Sequence, residues 1–130
     1  MSPRLQKTRI SGFAAWTAAI LWLSLTAHPL HFNARLLDWD KFDHAAAYAL
    51  LTLLGGWVFA LFIRSSTKAW LAAFLFAVLL GGLMEIAQGL FTTVRTPDWR
   101  DLLADAVGAG IIYGVAWLVT RLRSRTPTVS

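Results

Sequence analysis

Four apolar runs, separated by three short polar gaps, make up most of the chain. Ile10 to Ala27 is uncharged for eighteen residues and Ala45 to Ile63 for nineteen. Ala69 to Phe91 is interrupted only by Glu85 and Gln88, and Leu102 to Thr120 carries one charge, Asp105. A helix needs roughly 20 such residues to cross the hydrocarbon core, and it satisfies its own backbone there. The pattern therefore predicts an all-α fold: an integral membrane four-helix bundle with helices over about 10–27, 43–63, 69–91 and 101–120. Together these form a single transmembrane domain over 1–125, followed by a Ser- and Thr-rich tail, 126–130, expected to be disordered. The basic segment before the first run matches the start of a signal peptide. The length of the run and the poor cleavage site at Leu25-Thr26-Ala27 favour an uncleaved helix instead.

Composition agrees with a membrane protein: 57% of residues are hydrophobic, only 15% are charged, and mean hydropathy is +0.56. The net charge of +5 does not point to nucleic acid, because the basic residues flank apolar runs, where they suit lipid headgroups. There is no cysteine, which excludes disulfides, thiolate metal sites and cysteine nucleophiles. Eight Lys and Arg residues fall on one side of the predicted spans and four (Arg35, Lys41, Arg95, Arg100) on the other. The richer side is expected to be cytoplasmic. Both termini are then cytoplasmic, and the chain is a multi-pass protein of the bacterial cytoplasmic (inner) membrane.

That orientation gathers the acidic residues at the outer face. Asp38, Asp40, Asp43, Asp98, Asp101 and Asp105 lie in or beside the first and third gaps, and Glu85 lies about two turns inside its run. His44 and Tyr48 share a face of the second helix, with Lys41 one turn above. Gly81, Glu85, Gln88 and Gly89 share a face of the third, and Asp101, Asp105 and Gly108 a face of the fourth. A carboxylate inside the membrane is costly, so Glu85 and Asp105 should face the interior and find partners. For Asp105 the candidate donors are His44, Arg95 and Lys41. Simpler roles suit other residues: Asp98 as a helix cap, Trp39 and Trp99 as interfacial anchors, Gly110 and Gly114 as a helix-packing pair. The candidate site is thus an outward polar pocket of Lys41, His44, Tyr48, Glu85, Gln88, Arg95, Asp101 and Asp105. No metal site and no cofactor motif is recognised.

Asp40-Lys41 followed by His44 and Tyr48, then Glu85-x-x-Gln88, Arg95 and Asp101-x-x-x-Asp105-x-x-Gly108, resembles the VanZ-like family of small bacterial membrane proteins, over residues 38–114. At Asp105 the chain departs from that pattern, in which Asn is more frequent. The family is named for a protein associated with teicoplanin resistance, so the resemblance implies an envelope role.

Four functions compete. The pocket can bind a lipid-linked or peptidoglycan-related headgroup, with Arg95 gripping an anionic group and a possible effect on glycopeptide susceptibility. It can be an enzyme using His44 and carboxylates as acid and base, though no nucleophile motif is present. It can be a proton or ion pathway, or it can simply lock the helices together. The expected partners are the bilayer and such a headgroup, with no nucleic acid. Oligomeric state is not legible.

Overall fold

The structure, a computed structural model, describes residues 1–26, 37–93 and 96–125, apart from the side chains of 37–40. Within them lie four helices: α1 (Pro3–Leu25), α2 (Leu37–Phe59), α3 (Ser66–Phe91) and α4 (Trp99–Arg125). Local chemistry sets their ends. Ser2 caps α1 through the Leu5 N–H at 3.4 Å, with Pro3 in the first helical position. Ser65 caps α3 through the Lys68 N–H.

Several ends differ from those predicted by the apolar runs. All four helices extend into charged sequence, because Lys and Arg are good helix formers in α1, α3 and α4, and the acids Asp38 and Asp40 suit the start of α2. Arg123 and Arg125 also complement the carboxyl end of α4. In contrast, α2 stops at Phe59. The amides of Leu61 and Phe62 bond three residues back, to Val58 and Phe59, and this tightening begins the turn into Ser65.

Three helical segments, Lys41–Phe59, Ser66–Phe91 and Trp99–Arg125, are long and apolar enough to cross a membrane. At 23 residues α1 has the length, but Arg4, Lys7 and Arg9 and its scattered Ser, Thr and Trp residues keep it out of that group.

The helices alternate in direction. The start of α1, the turn between α2 and α3, and the end of α4 share one end of the molecule. Helices α2 and α3 lie in the middle, and α1 and α4 make no contact with each other. Packing is the reverse of a water-soluble core. Ala69, Ala73, Ala77 and Gly81 form the buried stripe of α3, while Leu71, Leu75, Leu79 and Leu83 face outward. That arrangement suits lipid, where close backbone packing of small residues holds helices together. Phe13, Phe59 and Phe76 pack ring to ring, with centroids 5.5–6.0 Å apart, and join α1 to α2 and α3. The Trp16 indole adds a 3.0 Å hydrogen bond to the Ala47 carbonyl.

Gly108 sets the closest approach. A β-carbon there would run into the backbone carbonyl of Ala45, so α2 and α4 touch main chain to main chain. Of Gly110 and Gly114, expected to pack a helix, Gly110 does so lightly against α3 and Gly114 does not within the described residues. A β-carbon at Gly110 meets only the Phe74 ring at 3.8 Å, and Gly114 faces open space. Their face of α4 turns away from α2.

Gly108→Ala is therefore expected to destabilise the protein by about 2–3 kcal/mol, because a carbonyl cannot rotate aside. Gly114→Ala should be neutral or gain up to about 1 kcal/mol from helix propensity. Reversible unfolding in mixed detergent micelles distinguishes them, and equal stability of the two variants would contradict the assigned crossing point.

Candidate functional site

Helices α2 and α4 run parallel and in contact, so residues three and four apart on each meet in sequence. Lys41 pairs with Asp101, His44 with Asp105, and the Ala45 carbonyl with Gly108. Asp105 is the deepest of these, only 1% exposed. Its Oδ1 lies 3.0 Å from His44 Nδ1. Its other oxygen occupies space left by Gly81, where a β-carbon would come within 2.7 Å. A carboxylate buried at this crossing needs a polar partner, and the histidine supplies one.

From that pair the network climbs to the surface. His44 Nε2 lies 3.9 Å from Asp101 Oδ2. Lys41 Nζ donates to Asp101 and, at 3.0 Å, to Asp98. Side-chain exposure rises from 2% at Asp105 through 15% at Asp101 to 38% at Asp98, so the cluster is buried at one end and wet at the other. The Arg100 backbone N–H, donating to Asp98 Oδ1 at 2.9 Å, holds that carboxyl below its ordinary range, with help from Lys41.

Glu85 joins from α3. Its Oε2 accepts the Asp98 N–H at 2.8 Å, and His44, Asp101 and Asp105 lie within electrostatic range. Gly89 permits this contact. A β-carbon there would sit 2.8 Å from Pro97, the residue that brings the Asp98 amide over the end of α3. Asp98 therefore caps α4, as expected, and also pairs Lys41 and tethers Glu85. Its position after Pro97 was the available signal for a turn, but nothing in sequence revealed where the turn folds back.

The remaining candidates have different settings. Tyr48, 3% exposed, packs in the core with Ile20, Leu51, Ala77 and Ala109, and Asp105 and Glu85 lie within electrostatic range. Gln88 is also buried, but its Nε2 donates to the Ser24 carbonyl at 3.1 Å, tying α3 to the end of α1 rather than orienting the charged cluster. Arg95, and the side chains of Asp38, Trp39 and Asp40, lie outside the described residues. Asp43 is exposed, and Trp99 is 70% exposed at the rim of the cluster. Among the described residues no group of three His, Asp or Glu side chains is arranged to hold a metal ion.

Chemically, four carboxylates surround Lys41 and His44. That excess of acceptors suits a partner rich in hydroxyl or ammonium donors. The His44 ring, held at Nδ1 by a buried carboxylate, keeps Nε2 directed toward the wetter end.

His44→Ala strands the buried Asp105 and is expected to cost about 3 kcal/mol. Asp43→Ala, on the exposed face, should stay within about 0.5 kcal/mol. The double variant His44→Ala/Asp105→Ala should recover part of the loss. Unfolding in detergent gives all three values, and equal stability of the two single variants would remove the pair from its structural role.

A model of the VanZ/LLP1 family matches residues 6–120. Comparison with curated proteins and with solved structures gave no match. The matched span holds the whole polar cluster and the greater part of every helix, and this chain, with three helices long and apolar enough to cross a membrane, belongs to the VanZ/LLP1 family.

Proposed function

We propose that the protein crosses the bacterial cytoplasmic membrane as a four-helix bundle with both termini inside, and that its polar cluster binds the headgroup of an envelope component at the outer face. The ligand class is a lipid-linked or peptidoglycan-related headgroup. The observation that carries this reading is the graded burial of the ion network, fixed at Asp105 and exposed at Lys41 and Asp98. A network that served packing alone would gain little from its wet end, since exposed ion pairs add little stability.

The orientation rests on eight Lys and Arg residues at the opposite end. It makes α1 the fourth crossing, supported by its ties to Ala47 and Gln88 at two heights. The carboxylates receive sugar hydroxyls or amino groups. Arg95, in the same loop as Asp98, takes a phosphate or carboxylate. If the component is a peptidoglycan precursor, the protein alters glycopeptide susceptibility. A proton pathway is disfavoured, because no charged side chain lies between this cluster and the far end of any helix.

One observation favours a second reading, catalysis. Asp105 and His44 form an oriented carboxylate–imidazole pair, an arrangement suited to proton transfer.

Two measurements test these readings. The chain lacks cysteine, so Thr93→Cys should react with an impermeant maleimide in intact spheroplasts, and Phe62→Cys only after lysis. The reverse pattern would overturn the orientation. Crosslinking to a photoactivatable polyprenyl-phosphate sugar should fall about tenfold in Lys41→Ala and Arg95→Ala, the loss of one charge-assisted contact. Undiminished labelling of both variants would refute headgroup binding, and a product absent from His44→Ala membranes would establish the catalytic reading.

A further inference from the structure

A second site lies at the opposite end of the molecule. A cleft of about 500 Å³ opens between α2 and α4 over the first turns of α3. That volume falls within the range of sites that hold small organic molecules. Its walls are apolar: Leu53 and Trp57 from α2, Trp70 from α3, and Ile112 and Ala116 from α4. Ser66 and Arg123 stand at its mouth. From Ile112 to Arg123 the wall of α4 is about 16 Å long at 1.5 Å per residue. The cleft is therefore elongated, apolar at depth and cationic at its opening.

Among the described residues the charge at that opening lacks an internal counterpart. Arg64, Lys68, Arg121, Arg123 and Arg125 all belong to this end, while all seven acidic side chains belong to the sequence around the other. Among the described residues no carboxylate pairs with Arg123. Arg121 is engaged differently, stacked 4.4 Å over the Trp117 ring. In a membrane-spanning protein the anion available at this depth is the phosphate of a lipid headgroup, and the apolar molecule beside it is that lipid's acyl chain.

We infer that this cleft is a binding site for one anionic phospholipid, with an acyl chain lying between α2 and α4 and its phosphate on Arg123 and the Ser66 hydroxyl. Arg123 offers the phosphate a fork of donors. Trp57 and Trp70 provide flat apolar walls at the depth where indoles favour the interface. The site is independent of the polar cluster at the other end and of which face of the membrane each end occupies.

Native mass spectrometry of the full chain, in detergent micelles doped with phosphatidylglycerol or phosphatidylcholine, tests the site. Wild type should retain one phosphatidylglycerol and little phosphatidylcholine. Arg123→Gln should lower phosphatidylglycerol retention about tenfold, as expected for one charge-assisted contact, with Lys7→Gln, on α1, unchanged. Ala116→Trp fills the cleft and leaves every charge in place, so it should abolish retention. The exposed Arg123→Gln change keeps the test valid if the tryptophan variant misfolds. Equal retention of both lipids, full retention by Arg123→Gln, or a dimer that persists without lipid would overturn the assignment.

Discussion

Asp105 cannot be buried alone. A carboxylate with 1% exposure among three helices must be met by a donor, and His44 meets it at 3.0 Å. Once that contact forms, the register of α2 against α4 follows. Lys41 falls beside Asp101, and the Ala45 carbonyl falls against Gly108, where any side chain would collide. Gly81 leaves room on α3 for the second oxygen. A shift of α2 by one turn, about 5.4 Å, would set Tyr48 against the carboxylate and lose both the Lys41 pairing and the fit at Gly108. Polar pairing and glycine placement therefore specify the same alignment, the kind of agreement between levels that gives a chain one structure.

The same pair organises the surface above it. Lys41 reaches from Asp101 to Asp98, and the Asp98 amide reaches down to Glu85 on α3. The entry to α4 is thus held by charged side chains rather than by a long apolar segment. Pro97 against Gly89 is the hinge that makes this contact possible. Glu85 illustrates why an acid inside an apolar run need not seek a cation: a backbone amide from a folded-back turn satisfies it.

Much of this was legible in sequence, for physical reasons. Apolar run length marks helices, and spacings of three and four mark shared faces, so the polar faces of α2 and α4 could be read before any contact was known. That a buried acid needs a donor made His44 one of three candidates for Asp105. The choice among them was not legible, because it depends on which helices run parallel and touch. The partner of Gln88 escaped for the same reason: its bond goes to the Ser24 carbonyl of α1, a backbone group that carries no sequence signal. Of the expected pair Gly110 and Gly114, only Gly110 meets a neighbouring helix, at Phe74 of α3, because spacing identifies a small face without saying what lies opposite it. The tie from Trp16 to Ala47 went unnoticed, although a tryptophan within an apolar run raises the question of where its N–H bonds.

The two ends of the molecule solve their charge problems differently. At one end, carboxylates and cations satisfy each other, and the bonds grade from buried to exposed. A ligand arriving there must replace existing bonds. The outermost contact, Lys41 with Asp98, is the one water already shares, so it yields most readily, whereas Asp105 and His44 stay fixed and hold the geometry. At the other end no carboxylate among the described residues pairs with the cations, which leaves their counter-charge to the surroundings. In the membrane arrangement proposed above, the bilayer would provide that charge as headgroup phosphate and so anchor the helices at a defined depth. With the basic end held by lipid, as proposed, and α2 and α4 locked at Gly108, the polar end would be carried at a fixed height in the membrane, within reach of the proposed headgroup.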